Sequence, residues 1–61
     1  MTLDHRTVPI LIKRYARSRL YDTARQRYVS IEQLRGWAES GTAFVVIDTE
    51  TQADVTHVLL A

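Results

Sequence analysis

The sequence predicts a small α+β domain: short antiparallel strands forming a β-hairpin, a capped central helix, a buried strand and the start of a C-terminal helix. Three observations carry that expectation. The apolar, largely β-branched runs Ile10-Leu11-Ile12 and Ala43-Phe44-Val45-Val46-Ile47 suit strands. Between them, Ser30 and Gln33 stand at capping-box spacing ahead of a helical pattern. Gly41 then sits where a left-handed residue would end that helix.

Residues 1–9 mix polar and charged types without period and end in Pro9, so they read as a flexible arm, leaving 10–61 as the folded domain. The first strand is expected to begin at Ile10 and to run through Lys13-Arg14-Tyr15 to a wet end. Arg19-Leu20-Tyr21-Asp22 and Arg27-Tyr28-Val29 are expected to pair as a hairpin through Thr23–Gln26, a connection that lacks the Asn-Gly or Asp-Gly signal. The capping box starts a helix over about 31–40, with Val29 placed to staple against Leu34. Its inward stripe is Ile31, Leu34, Trp37 and Ala38, and its outer face carries Glu32, Gln33, Arg35 and Glu39. Gly36, inside the helix, costs about 1 kcal/mol relative to alanine and would mark a close approach by another element. The stretch 43–47 is apolar on both alternating sets, which predicts a strand over about 43–48, buried on both faces or covered by a partner. Asp48 to Gln52 is a turn. From Asp54 a second amphipathic helix is expected, capped by Asp54 or Thr56, with Val55, Val58 and Leu59 inward; at about two turns it is marginal alone. No internal repeat, low-complexity tract or linker is evident.

A chain of 61 residues makes one domain with a thin core, burying only about 60% of its unfolded surface. With no cysteine, neither a disulfide nor a thiolate zinc site can brace it, whereas dimerisation can. The hydrophobic fraction of 46% is too high for a disordered segment. Neither a signal-peptide core nor a membrane-length apolar stretch is present, and the chain reads as cytoplasmic. Net charge is only +1, but its distribution is lopsided. All eight basic residues lie between Arg6 and Arg35, and within residues 1–35 only Asp4, Asp22 and Glu32 oppose them; residues 36–61 hold Glu39, Asp48, Glu50 and Asp54 and no Lys or Arg. A polyanion is the natural partner for such a basic half.

Catalysis is not expected. The two imidazoles, His5 and His57, lie in the arm and near the far end, and there is no phosphate-binding glycine loop, metal-ligand spacing or cofactor motif. The informative stretch is Lys13-Arg14-Tyr15-Ala16-Arg17-Ser18-Arg19-Leu20-Tyr21, followed by Arg25, Arg27 and Tyr28. Arginine offers a planar fork of donors to phosphate or a guanine edge, and tyrosine offers a ring face. The same residue types also suit a solvated sheet edge kept from aggregating by its charge, and composition leaves both readings open. Trp37 is expected in the core.

Read in order, IKRYARSRLYDTARQRYVSIEQL and VVIDTETQADVTHVLL resemble the amino-terminal domain of polyhydroxyalkanoate synthesis repressors, also called polyhydroxybutyrate accumulation regulators. The family pattern, I-K-[KR]-Y-x-N-R-R-L-Y-[DN]-T, then Y-V-[TS]-[LI]-x-x-L, then V-x-D-x-x-T-G-x-D-[IL]-T-x-x-[VI]-L, is met at Ile12 to Tyr15, Arg19 to Thr23, Tyr28, Val29, Leu34, Asp48, Thr51, Asp54, Thr56 and Leu59. Two departures stand out. Arg17-Ser18 replaces Asn-Arg, which would move an arginine to the other face of an extended strand, and Gln52 replaces the turn glycine, which bears on that turn's geometry.

The resemblance implies a DNA-binding domain of a repressor acting at promoters of storage-granule genes, with polymer sensing left to a further region of the family's chains. On this reading Lys13, Arg14, Arg17, Arg19, Arg25 and Arg27 fix double-stranded DNA by its phosphates, one or two arginines reach base edges, and Tyr15 and Tyr21 complete the surface. A homodimer or higher homo-oligomer would double the footprint. No cofactor, metal or membrane is implied. Two alternatives remain: an oligomerisation or adaptor module whose arginines serve solubility, and a single-strand or RNA binder using its tyrosines.

Overall fold

The computed structural model describes residues 8–60, so most of the expected arm lies outside the described residues. Val8 and Pro9 lead, exposed, into β1 (Ile10–Tyr15). The chain continues through β2 (Arg19–Asp22), β3 (Arg27–Val29), α1 (Ile31–Ser40), β4 (Phe44–Asp48) and α2 (Thr56–Leu60). The α+β expectation holds. The strands form one mixed sheet in the order β3-β2-β1-β4, antiparallel except where β4 lies parallel to β1. A parallel neighbour needs a long crossover, and the segment containing α1 supplies it.

One face of the sheet builds the core. Ile12, Leu20, Val29 and Val46 are buried there with Leu34 of α1 and Val55, while Ile10, Ile31, Trp37, Phe44 and Leu59 pack around them. Trp37 meets Phe44 edge-on at 5.8 Å between ring centroids. The capping box forms as expected: Ser30 Oγ accepts from the Gln33 amide at 3.1 Å, and Gln33 Oε1 accepts from the Ser30 amide at 2.9 Å. Gly41, at φ 85°, closes the helix through its amide to the Ala38 and Trp37 carbonyls. Two inward assignments fail: Ala38 is exposed and Val58 is 68% exposed. The close approach expected at Gly36 is also not made, since no atom beyond its chain neighbours and its own helix backbone lies within 4 Å of where a Cβ would stand.

The doubly apolar pattern of β4 has a different cause from two covered faces. Phe44 and Val46 point to the core and Val45 and Ile47 to the opposite side, where none of the described elements lies over them and they are half-buried. What is covered is its outer edge. The Asp48 amide donates to the Ala53 carbonyl, the Val55 amide to the Val46 carbonyl and the Val46 amide to Thr56 Oγ1, and Ile47 bridges to Asp54. The returning chain thus satisfies the backbone groups that an outer strand would leave open.

Although no repeat is evident from the sequence, the structure contains one. Asp22-Thr23-Ala24-Arg25-Gln26 and Asp48-Thr49-Glu50-Thr51-Gln52 make the same turn. Each aspartate is buried, and its Oδ1 accepts from the amides two and three residues on. Each glutamine is left-handed, at φ 58° and 63°, and its amide donates to the aspartate's carbonyl. Each threonine clasps β1 with amide and hydroxyl together, Thr23 on the Leu11 carbonyl and Thr49 on the Arg14 carbonyl. After each turn comes a buried valine, Val29 or Val55, then Ser30 or Thr56 and a helix. β2 and β4 run in opposite directions on the two sides of β1, so the two halves are related by a pseudo-twofold through that strand.

Candidate nucleic-acid interface

Among the described residues nothing packs over the second face of the sheet, the open face. Paired residues share a face, so the register sends Leu11, Lys13 and Tyr15 of β1 to this side with Arg19 and Tyr21 of β2, Tyr28 of β3, and Val45 and Ile47 of β4. Lys13 stands beside Tyr21, Tyr15 beside Arg19, and Tyr21 beside Tyr28. The Tyr21 and Tyr28 rings meet edge-on at 5.1 Å. No carboxylate lies among these eight residues.

Alternation separates what the sequence placed together. Lys13 and Arg19 belong to the open face, and Arg17 stands at the tip of the β1–β2 hairpin beside them. That tip is a tight turn closed by the Ser18 amide on the Tyr15 carbonyl, with Ala16 and Arg17 both left-handed, at φ 50° and 69°. Residue 17 is therefore a turn position, and the expectation of an extended strand there is corrected. The asparagine of the family pattern suits such a backbone better than arginine does.

Arg14 points the other way. Its Nε and Nη2 donate to Asp48 Oδ2 at 2.9 and 2.7 Å, and with its side chain only 17% exposed it is committed to the fold rather than free for phosphate. Arg25 donates to Asp22 Oδ2 at 3.1 Å and lies 5.4 Å over the Trp37 ring, which ties the hairpin turn to α1. Arg27 pairs across from Asp22, on the helix side of the sheet. The cations among the described residues do not gather into one surface: of the six proposed phosphate contacts, Lys13 and Arg19 share the open face and Arg17 stands at the adjoining hairpin tip, whereas Arg14, Arg25 and Arg27 do not join them.

The buried aspartates stay ionised for identifiable reasons. Burial pushes the Asp22 carboxyl up, but the amides of Arg25 and Ala24 and the Arg25 guanidinium outweigh it and leave the pKa below the usual 3.8. The Arg14 guanidinium, with the Glu50 amide, holds Asp48 below that value against burial. The Thr56 hydroxyl and amide do the same for Asp54.

Tyr28, which the sequence offers as a stacking ring but not among the duplex contacts, joins the open face. It is 58% exposed, Tyr15 is 38% exposed, and with Tyr21 and Arg19 they line a depression of about 260 Å³ on the open face. Only the β2–β3 register reveals that Tyr21 and Tyr28 are neighbours. Among the described residues no group of acids and histidines could hold a metal, and no helix is long and apolar enough to cross a membrane.

Comparison with known proteins decides the family. Residues 11–61 match the PHB/PHA accumulation regulator DNA-binding domain. The chain belongs to that family. It is 38% identical over 50 residues to the "uncharacterized protein in phbA 5′ region" of Thiocystis violacea, a match covering 82% of this chain and 36% of the relative. It is equally identical over 50 residues to an uncharacterized protein of Allochromatium vinosum, covering 82% of this chain and 33% of that one. The chain thus spans about a third of the length of the curated relatives it matches. No solved structure matches it.

Proposed function

We propose that this domain binds double-stranded DNA through its open sheet face and represses storage-granule genes by occupying their promoters, without catalysing a reaction. The observation that carries the proposal is the segregation of charge by the pleat. Lys13 and Arg19 share one side with three tyrosines, Arg17 stands at the adjoining hairpin tip, and none of the eight strand residues of that side is a carboxylate, while Asp22 and Asp48 are locked into the fold. Sheets read DNA by laying strands in a groove, with cations on phosphate oxygens and one or two side chains on base edges. Arg19, flanked by tyrosines and free of any ion pair among the described residues, is placed for a base edge.

A homodimer acting in the cytoplasm belongs to the same proposal. Leu11, Val45 and Ile47 form an apolar end of the open face where a second copy would meet the first. The test is duplex affinity against salt concentration. Replacing Lys13 or Arg17 by alanine should each reduce the steepness of log affinity against log salt by about 0.9, the value for one lost phosphate contact, whereas Arg19→Ala, at a base edge, should relax sequence preference instead. Arg27→Ala, on the other side, should leave the steepness unchanged. A flat salt response of the unaltered protein would overturn the DNA reading. Oligomerisation that survives Arg17→Ala with Arg19→Ala, alongside duplex binding that also survives, would favour an adaptor role instead.

A further inference from the structure

We propose that the depression between Tyr15, Arg19, Tyr21 and Tyr28 is a stacking site for one nucleobase swung out of the DNA helix. The proposal rests on the DNA reading and specifies how the open face engages its ligand. A surface that met only intact duplex would need cations spaced along phosphates and little else. Here three aromatic rings line the same depression as Arg19, at the hairpin end of the face. Tyr28, on the outermost of these strands, keeps more than half of its surface exposed although its ring already meets that of Tyr21 edge-on.

The space fits the ligand. At about 260 Å³ it exceeds the roughly 150 Å³ that holds a benzene ring in an apolar protein cavity. A second hollow of about 200 Å³, lined by Ser18, Arg19, Leu20, Tyr28 and Val29, adjoins it and shares Arg19 and Tyr28. The strand can therefore continue past the trapped base over the edge of β3. Charge selects among flat ligands. Lys13 shares the face, Arg17 stands at the adjoining hairpin tip and none of the eight strand residues of the face is a carboxylate, which favours a ring carried on a polyanionic backbone. A second copy of this chain would bring its own cations against these, which disfavours it as the occupant.

The experiment uses three short labelled duplexes of one sequence in fluorescence-anisotropy titrations: fully paired, with one unpaired thymine, and with one unpaired abasic residue. The abasic duplex is as flexible as the bulged one but has no ring to stack. Stacking on an aromatic side chain corresponds to roughly 5- to 150-fold in affinity per base. The thymine bulge should therefore bind at least about fivefold tighter than either control. Tyr28→Ala should abolish that preference and Tyr28→Phe should keep it, while Arg19→Ala should weaken all three complexes. Equal affinity for thymine-bulged and abasic duplexes, or a preference that survives Tyr28→Ala, overturns the stacking site. If the paired duplex still binds with a salt-dependent affinity, the DNA reading stands without it; if no duplex binds, both fall.

Discussion

Gln52 occupies a left-handed backbone, φ 63°, where the family pattern has glycine. The left-handed region costs a residue with a Cβ roughly 1–2 kcal/mol. The turn nevertheless keeps its geometry, because Asp48 Oδ1 and carbonyl gather three amides and Gln52 Nε2 donates to the Thr49 carbonyl at 3.1 Å. Gln52→Gly should raise stability by about 0.5–1 kcal/mol, less than the full relief because glycine loses more freedom on folding. Urea denaturation would show the midpoint rising, and an unchanged or lower midpoint would contradict the assignment of strain. The sequence showed that a glycine was missing, but not that neighbouring side chains hold the backbone in place without it. Arg14 was misread for a related reason. Its partner Asp48 lies 34 residues away, and only the parallel register of β1 with β4 brings them together.

Among the elements, α1 was the most legible, because a capping box, a helical stripe and a terminal glycine are all local signals. Its one unexplained residue now has a plain consequence. With open space around Gly36, Gly36→Ala should stabilise the helix by about 1 kcal/mol, read as a rise in the thermal midpoint of the helical signal by circular dichroism. β4 was legible as a strand but not in its surroundings, since the pattern of apolar residues cannot separate a covered face from a covered edge. That edge depends on Thr56, whose hydroxyl accepts from the Val46 amide at 2.8 Å and donates to Asp54 Oδ1 at 2.7 Å. Thr56→Val keeps the shape and leaves a buried amide unpaired, so it should cost about 1–3 kcal/mol, measurable by denaturant titration. A loss below a few tenths would mean that water or another group takes over the bond. The repeated Asp-Thr-x-x-Gln turn went unread because its five positions share only three residue types, and its likeness resides in backbone conformation.

For the molecule as a whole, three carboxylates with lowered pKa values set the response to acid. Each is held below the usual 3.8, so the unfolded chain binds protons more readily than the folded one. Stability from these groups is therefore fully present above about pH 4 and is lost as pH falls through the lower folded values. The thermal midpoint should stay level from neutral pH to about pH 4 and then decline. Asp48→Asn should lower the plateau and make the decline shallower, because Arg14 then has no ionised partner to lose; a midpoint constant down to strongly acid solution would refute this. The sheet also fixes an order of events during synthesis. β1 emerges from the ribosome early and finds its hairpin partner at once, but its other neighbour is translated only some thirty residues later. Until then the nascent protein offers a bare flank beside Ile10 to Arg14 to any extended peptide nearby. A chaperone that shields short β segments would be needed most during that interval.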